Sequence, residues 1–255
     1  MVQSSALTNK LKENVRKYWD ERSKTFDDDV GHGRTDQTES QLWQKNLTDI
    51  IGAEPKKILD VGTGTGMIAI TLAELGHSIT GIDLGEEMLK RAGEKAASKK
   101  LNISFLPGDA EEPAFEDNSF DGVICRHLLW TLPHPEKALQ EWTRICKPGG
   151  LIIVIDGHAQ PRNYFPDEKW DDTLCDRERF WREMYSPELV QILPYKENLT
   201  VDTITELFRK TGLSDVQSRY CEDISNYQKN LMNHDNLDED HCEVQIIWGR
   251  VSERE

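Results

Sequence analysis

The sequence predicts an α/β fold organised around a mainly parallel sheet. Short apolar runs alternate with segments of helical length along most of the chain, which is typical of βαβ units. The run KKILDVG (residues 56–62) is largely apolar and ends in glycine, as a strand buried inside a parallel sheet does. A chain of 255 residues is long enough for one such domain with additions.

The predicted elements follow a regular order. Helices are expected over residues 4–26 and 37–51, where apolar residues recur on one face, with the polar loop DDDVGHGRTDQTES between them. The next segments are, in order, the strand KKILDVG, the helix MIAITLAELG, the strand HSITGIDLG, the helix EEMLKRAGEKAASKK, the strand NISFLPGDA, the strand FDGVIC, the helix PEKALQEWTRICK, the turn PGG and the strand LIIVIDG. Towards the C-terminus, VDTITELFRKTGL predicts a helix, and SDVQSRYCED and EVQIIWGRV predict two strands.

Residues 160–200 interrupt this order. They are rich in aromatic and charged residues and show no period of 2 or 3.6, so we interpret them as a lid-like insertion after the fifth strand. We therefore expect residues 1–52 to form an N-terminal helical cap and residues 53–255 to form the α/β domain.

Composition excludes several classes of partner. With 46 acidic and 31 basic residues the net charge is −15, which argues against a nucleic-acid substrate. No run approaches the length of a membrane helix, and the N-terminus does not resemble a secretory signal. We expect a cytoplasmic protein with neither a nucleic-acid nor a membrane partner. Its oligomeric state stays open, a homodimer included.

The cysteines predict neither disulfides nor a metal site. The five are scattered and form no CxxC pair, as expected of buried, reduced thiols. A thiol or metalloid site built from Cys175, Cys221 and Cys242 is the alternative. His234 and His241, together with Cys242, fall in an acidic segment that is more typical of a solvated loop.

A glycine-rich turn follows the first strand, in the stretch Ile58–Gly66. Glycines at such a turn let the backbone approach a ligand. The dinucleotide pattern G-x-G-x-x-G requires a glycine where Met67 stands. Asp60 precedes the loop and would repel a pyrophosphate, but it suits the ammonium of an amino-acid tail. The loop thus favours a nucleoside that carries a cationic amino acid.

Two further carboxylates end the next two predicted strands. Asp83 ends the second, where a carboxylate can accept hydrogen bonds from both hydroxyls of a ribose. Asp109 ends the third, where it can accept a bond from an adenine amino group. The alternatives are a helix-start residue for Asp83 and a turn residue for Asp109.

Taken together, LDVGTGTG, GIDLGEEML, PGDAEEPAFEDNSFDGV and CKPGGLIIV resemble the motifs of class I S-adenosylmethionine-dependent methyltransferases, in the small-molecule branch that includes ubiquinone and menaquinone methylases. The resemblance is strongest over residues 55–157. It implies a Rossmann-like, doubly wound, seven-stranded sheet of order 3-2-1-4-5-7-6 with the last strand antiparallel. It also implies S-adenosylmethionine as the cofactor and S-adenosylhomocysteine as its product.

The resemblance further implies a cofactor site that runs from the methionine end to the adenine end. Its residues are Asp60, Gly62, Thr63, Gly64 and Thr65, then Asp83, Leu84 and Met88, then Asp109 and Ala110. Tyr18, in a Tyr-Trp-Asp element followed by Phe26, either closes over the cofactor or packs in its helix. Arg126 stands where the family usually has a small polar residue beside the cofactor, and recognition of an acidic acceptor is the alternative.

Catalysis requires a base only if the acceptor must lose a proton. His127 is the best candidate base, because it follows the fourth strand and an imidazole titrates near neutrality. Positioning of the loop is its alternative role, and His32 and His158 are weaker candidates. We expect methyl transfer to the O, N, S or C atom of a small molecule. A quinone-type C-methyltransferase and a non-catalytic S-adenosylmethionine-binding module are the alternatives.

Overall fold

The computed structural model describes residues 2–33, 36–156, 176–197, 199–234 and 243–253, and places seven strands in one sheet. In chain order the strands are Lys57–Val61 (β1), Ser78–Asp83 (β2), Ser104–Pro107 (β3), Phe120–Arg126 (β4), Cys146–Ile155 (β5), Leu213–Tyr220 (β6) and Gln245–Val251 (β7). Their spatial order is β3-β2-β1-β4-β5-β7-β6, which confirms the predicted order. Neighbours from β3 to β5 are parallel, whereas β7 is antiparallel to both β5 and β6.

Helices connect and surround these strands. They are Val2–Arg22 (α1), Gln37–Ile51 (α2), Met67–Glu74 (α3), Glu86–Ser98 (α4), Pro135–Ile145 (α5), Asp176–Met184 (α6), Pro187–Val190 (α7), Val201–Lys210 (α8) and Glu222–His234 (α9). None of the helices in the described ranges is both long enough and apolar enough to span a bilayer.

The first helix ends earlier than predicted. The hydroxyl of Ser23 donates to the carbonyl oxygen of Asp20 (2.8 Å), and the next turns tighten to i→i+3 bonds. A short 3-10 segment, Phe26–Asp28, follows. The chain is thereby redirected towards the edge of the sheet where β1 and β4 end.

Helix α9 is absent from the sequence-based prediction, which has no helix between the last two strands. Its buried face includes Ile224, Ser225, Gln228 and Met232, spaced as on one side of a helix. Two of these four residues are polar, so the pattern of apolar residues alone does not show the helical period of 3.6. The hydroxyl of Ser225 accepts a bond from Val244 N (3.0 Å), and this contact ties the helix to the segment before β7.

Successive residues of the strands point to opposite faces, so the sheet supports two apolar cores. In β5, Ile152 faces the core that contains Trp142 of α5, whereas Ile153 faces the core that contains Trp43 of α2. All four side chains are buried. Burial of each such side chain stabilises the fold by about 1.5–3 kcal/mol.

A third apolar cluster joins α1 to the described part of the 160–200 region. Tyr185 and Leu189 are buried there against Leu11 and Tyr18 of α1. The helical part of this region, α6 and α7, therefore contributes to an apolar core although its sequence shows no clear period. Residues 157–175, with Trp170, lie outside the described residues.

Gly66 generates a prediction about stability. It precedes α3 with φ at +83°, and a Cβ atom there would lie 3.0 Å from the Ala92 Cβ and 3.2 Å from the Phe105 ring. A residue with a Cβ atom costs roughly 1–2 kcal/mol in the left-handed conformation. We therefore expect Gly66→Ala to reduce the free energy of unfolding by at least this amount. Urea denaturation measures this change.

Gly93 provides the matched control, because it lies inside α4 and a Cβ there meets nothing within 4 Å. Gly93→Ala should stabilise the protein by roughly 0.5–1 kcal/mol through reduced backbone entropy of the unfolded chain. Equal effects of the two substitutions would contradict the described geometry of the turn before α3.

Candidate active site

The residues between β1 and α3, here called the glycine loop (residues 62–66), rest on the buried carboxylate of Asp60. Its Oδ2 accepts bonds from Thr63 Oγ1 (2.6 Å) and Ala69 N (3.1 Å). Its Oδ1 is buried and has no hydrogen-bond partner among the described residues. Burial raises the pKa of Asp60 to about 7, although the bonds from Thr63 and Ala69 oppose this shift.

The unpartnered oxygen defines what the glycine loop can bind. A buried acceptor without a partner is unfavourable, so a donor that reaches it is stabilised. A positively charged donor gains most, because it also favours the ionised carboxylate. Gly62 leaves room for such a close approach: its φ is +66°, and a Cβ atom there would lie 2.9 Å from Leu128 Cδ1.

Asp83, at the end of β2, ties two turns together. Its Oδ2 accepts from Gly64 N and its Oδ1 from Gly85 N, both at 2.8 Å. Burial raises the pKa of Asp83. A carboxylate has about four acceptor positions, so two bonds leave capacity for hydroxyl groups of a ligand. Of the two predicted neighbours, Met88 is buried and Leu84 is partly exposed.

Asp109 lies beyond β3, and its carboxylate is held on both sides. Its Oδ1 accepts from Glu111 N (2.9 Å), and its Oδ2 accepts from Lys12 Nζ of α1 (2.7 Å). Ala110 is buried, and its carbonyl oxygen accepts from Trp142 Nε1 (2.9 Å). Lys12 is not predicted as a site residue, because no sequence pattern near it marks a partner 97 residues away.

The residues 23–33, here called the N-terminal loop, cover the glycine loop. Thr65 Oγ1 donates to Asp27 Oδ1 (2.5 Å) and accepts from Lys95 Nζ (2.9 Å). Lys95 Nζ is also 2.8 Å from Asp27 Oδ2. The hydroxyl of Thr65 therefore joins the glycine loop to the N-terminal loop. Thr63 is instead engaged with Asp60.

Arg126 anchors the N-terminal loop. Its guanidinium donates to the carbonyl oxygens of Gly31 and His32, and it lies over the Trp43 ring at 5.3 Å. Burial lowers the pKa of Arg126 to about 10, although the nearby carboxylates, Asp60 among them, raise it. Its Nε is buried without a partner among the described residues. This structural role explains why a large cation stands where a small polar residue is usual.

His127 follows β4 with a left-handed backbone (φ +52°), and its N–H donates to Ile155 O (3.1 Å). The imidazole is partly exposed, and its Nδ1 lies 3.9 Å from the Asp156 carboxylate. The ring centre of His32 is 5.9 Å from that of His127. Burial lowers the pKa of His32 well below its usual range, and repulsion by Arg126, and by His127 when protonated, lowers it further, so His32 is neutral near pH 7. His158 lies outside the described residues.

Tyr18 lies in the core of the cap. Its ring contacts Trp19 (5.0 Å) and Trp181 (4.8 Å) and is buried, as in the packing alternative. Trp19 continues the aromatic contacts to Phe26 (5.8 Å), and Phe26 continues them to His32 (5.0 Å). A row of rings thus connects the cap to the end of β4.

The cysteines of the described ranges lie either inside the sheet or away from the carboxyl ends of its parallel strands. Cys125, Cys146 and Cys221 are buried, and burial raises the pKa of each thiol. Cys175 and Cys242 are outside the described residues. Within those residues, no three His, Cys, Asp or Glu side chains form a group that could hold a metal ion.

Comparison with known proteins finds matches for the region that contains this edge. Residues 59–154 match the family model of a methyltransferase domain. The demethylmenaquinone methyltransferase of Renibacterium salmoninarum is 34% identical over 143 residues, 54% of this chain and 59% of that protein. That of Desulfitobacterium hafniense is 38% identical over 121 residues, 45% and 47% of the two chains. The chain spans about half the length of the curated relatives that it matches.

Solved structures share the fold at lower identity. Phosphoethanolamine N-methyltransferase 2 of Haemonchus contortus, in complex with S-adenosylhomocysteine, superposes with a TM-score of 0.58 at 20% identity and covers 82% of this chain and 52% of its own. The [4+2]-cyclase SpnF superposes with a TM-score of 0.53 at 19% identity and 81% coverage of both chains. The matched residues 59–154 include the glycine loop and run from β1 into β5, so this part of the chain is similar to a methyltransferase domain.

Proposed function

We propose that the protein binds S-adenosylmethionine at the carboxyl ends of β1 to β4 and transfers its methyl group to a small-molecule acceptor. The observation that carries this proposal is the buried Asp60 carboxylate beneath the glycine loop, one oxygen of which has no hydrogen-bond partner in the part of the chain that the structure describes. The three carboxylates can accept hydrogen bonds from the cofactor along its length, since Asp60 suits the methionine ammonium, Asp83 the ribose hydroxyls and Asp109 the adenine amino group.

The remaining predicted residues complete this cofactor site. The Nε of Arg126 is a donor for the methionine carboxylate, and Met88 and Leu84 provide apolar contact for the adenosine. Thr63 and Thr65 act indirectly, because their hydroxyls hold the glycine loop to Asp60 and to the N-terminal loop. Tyr18 supports the cap through its ring contacts with Trp19 and Trp181.

When bound, the cofactor supplies an activated methyl group on a sulfonium. The protein therefore has to orient the acceptor, exclude water and, for some acceptors, accept a proton. We propose that His127 accepts that proton, with its imidazole 3.9 Å from the buried Asp156 carboxylate. His32 stays neutral and, with Phe26, borders the acceptor. The left-handed backbone of His127 and its bond to Ile155 fix the direction from which the imidazole enters.

His127 lies within the family match, but we assign most of the acceptor side to parts of the chain outside that match. These are the N-terminal cap (residues 1–52) and the 160–200 insertion, which meet where Trp181 contacts Tyr18. Trp181 also contacts Trp130, which follows β4. We propose that the insertion acts as a lid, with its helical part held against α1. Acceptor choice then depends on residues that the relatives need not share.

Methylation of a quinone ring is the second candidate function. It is favoured by the relatives, which are named demethylmenaquinone methyltransferases and are 34–39% identical. A cofactor-binding protein without methyl transfer is the remaining alternative, since the cyclase of the same fold carries a different activity in its name.

A calorimetric and enzymatic test separates these functions. We expect binding of S-adenosylmethionine and S-adenosylhomocysteine but not of NAD, because the Asp60 carboxylate disfavours a pyrophosphate. Acceptor pools that include a short-chain demethylmenaquinone are then screened for production of S-adenosylhomocysteine. NAD binding without response to either adenosyl ligand contradicts the cofactor assignment, and adenosyl binding without turnover of any pool favours the non-catalytic alternative.

The raised pKa of Asp60 predicts a pH dependence of cofactor binding. Below about pH 7 the free protein carries a proton on Asp60, whereas the ligand ammonium favours the ionised carboxylate. Binding then releases that proton, so the affinity for S-adenosylhomocysteine should fall as the pH is lowered, by up to about tenfold per pH unit. Calorimetry between pH 5.5 and 8 measures this.

Two controls isolate Asp60. 5′-Methylthioadenosine has the ribose and adenine but no amino-acid tail, so its affinity should not follow the Asp60 titration. Asp60→Asn should remove the pH dependence of S-adenosylhomocysteine binding. A wild-type affinity that stays constant over this pH range would show that the ammonium does not meet Asp60.

Asp83 predicts a loss of affinity together with a loss of stability. Asp83→Ala removes the proposed ribose acceptor, which should weaken S-adenosylhomocysteine binding by about 1.5–3 kcal/mol. It also leaves the N–H groups of Gly64 and Gly85 without their acceptor, so the melting temperature should fall. Calorimetry and thermal denaturation measure the two effects.

Asp121 supplies the matched control for Asp83. It stands at the opposite end of the sheet and also accepts a backbone bond, from Lys57 N (2.7 Å). Asp121→Ala should lower the melting temperature without changing the affinity for the ligand. If Asp83→Ala behaved in the same way, Asp83 would be a structural residue only.

A further inference from the structure

The side chain of Lys12 projects from the cap helix α1 to Asp109, at the adenine end of the proposed site. We infer that Lys12 is a positioning residue for cofactor recognition: it holds the carboxylate of Asp109 and thereby couples docking of α1 to recognition of the adenine amino group. This inference rests on the proposed function, because it takes Asp109 to be the acceptor for that amino group.

The contacts of Lys12 are short and largely enclosed. Its ammonium lies 2.7 Å from Asp109 Oδ2 and 2.6 Å from Glu111 Oε2. The Lys12 and Asp109 side chains are 20% and 26% exposed, and that of Glu111 is 1% exposed. Contacts of this kind are held more firmly than surface ion pairs, which contribute little. The adjacent Leu11 is fully buried in the cap core, which fixes the helix from which Lys12 projects.

The two carboxylates depend on this cation. Glu111 is buried, and its other oxygen accepts from His134 N (2.6 Å), just before α5. Among the described residues, Lys12 is the side-chain cation within ion-pair distance of Asp109 and Glu111. Burial lowers the pKa of Lys12, but its hydrogen bonds to both carboxylates outweigh this and raise the pKa above its ordinary value. Lys12 is therefore charged throughout the physiological range.

Lys12 and an adenine amino group can bind the Asp109 carboxylate at the same time. Lys12 holds Asp109 Oδ2, and the backbone N–H of Glu111 holds Oδ1, so the plane of the carboxylate is set. Each oxygen keeps a further acceptor position for an amino group. Without Lys12, the like charges of Asp109 and Glu111 would repel each other and the Asp109 carboxylate would turn away. Coupling of this kind is reciprocal, so recognition of the amino group should also strengthen docking of α1.

A purely structural role and a positioning role for Lys12 predict different effects of its loss on ligand affinity. If Lys12 only fastens α1 to the sheet, its loss weakens all ligands of the site alike. If it positions Asp109, its loss weakens only ligands that carry the adenine amino group. The inosine analogue of S-adenosylhomocysteine, in which an oxo group replaces that amino group, separates the two roles.

The experiment compares both ligands in wild type, Lys12→Met and Lys12→Arg. We expect Lys12→Met to weaken S-adenosylhomocysteine roughly tenfold, a size typical of coupling between sites, and to change the affinity for the inosine analogue less than twofold. Lys12→Arg keeps the charge and should restore most of the affinity. Lys10→Met is the control, because Lys10 is on the same helix but is exposed and 3.9 Å from Glu188. It should leave both affinities unchanged.

Hydrogen exchange of the wild-type protein gives a second readout that needs no variant. S-adenosylhomocysteine should slow exchange in α1 more than the inosine analogue does at equal saturation. Equal weakening of both ligands by Lys12→Met, no weakening of either, or equal protection of α1 by both ligands would overturn the coupling. A wild-type protein that binds neither S-adenosylmethionine nor S-adenosylhomocysteine would overturn the proposed function itself. Failure of the proposed function is thereby distinguished from failure of the Lys12 coupling.

Discussion

The buried carboxylate of Asp60 is the constraint on which the binding edge of the sheet depends. By accepting bonds from Thr63 and Ala69 it connects strand β1, the glycine loop and helix α3 through one side chain. Removal of a carboxylate from water is unfavourable, and here it raises the pKa to about 7. A cationic group of a ligand offsets that penalty, whereas a phosphate adds to it. One buried charge therefore both shapes the loop and favours a class of ligand.

The first 33 residues are held to this edge by polar contacts at three strand ends. Asp27 meets Thr65 beyond β1, Lys12 meets Asp109 beyond β3, and Arg126 at the end of β4 holds the carbonyl oxygens of the N-terminal loop. Each contact connects a cap element to a loop that the cofactor would touch. The cap is thus connected to the proposed cofactor site as well as to the apolar core that it shares with α6 and α7.

The local sequence predicted the residues that the backbone itself brings to the edge. Asp60 and Asp83 end β1 and β2, and parallel strands end at the same edge, so their proximity follows from the element order. It did not predict the role of Arg126, because its partner His32 is 94 residues away and the guanidinium serves the protein's own backbone. For Tyr18, the neighbouring aromatic residues fitted both a closing and a packing role. The contact of its ring with Trp181 of α6 supports the packing role.

The sequence by itself determined most of the elements, the parallel character of the sheet and the edge at which we propose that a ligand binds, because hydrophobic period and glycine position act over a few residues. Its family-like motifs also determined the strand order. Only the tertiary structure decided which polar groups meet across elements, such as Lys12 with Asp109 or His127 with Asp156. Those contacts depend on how apolar faces pack and on the angles at which helices lie on the sheet. Such angles result from the whole core and are not encoded near either partner.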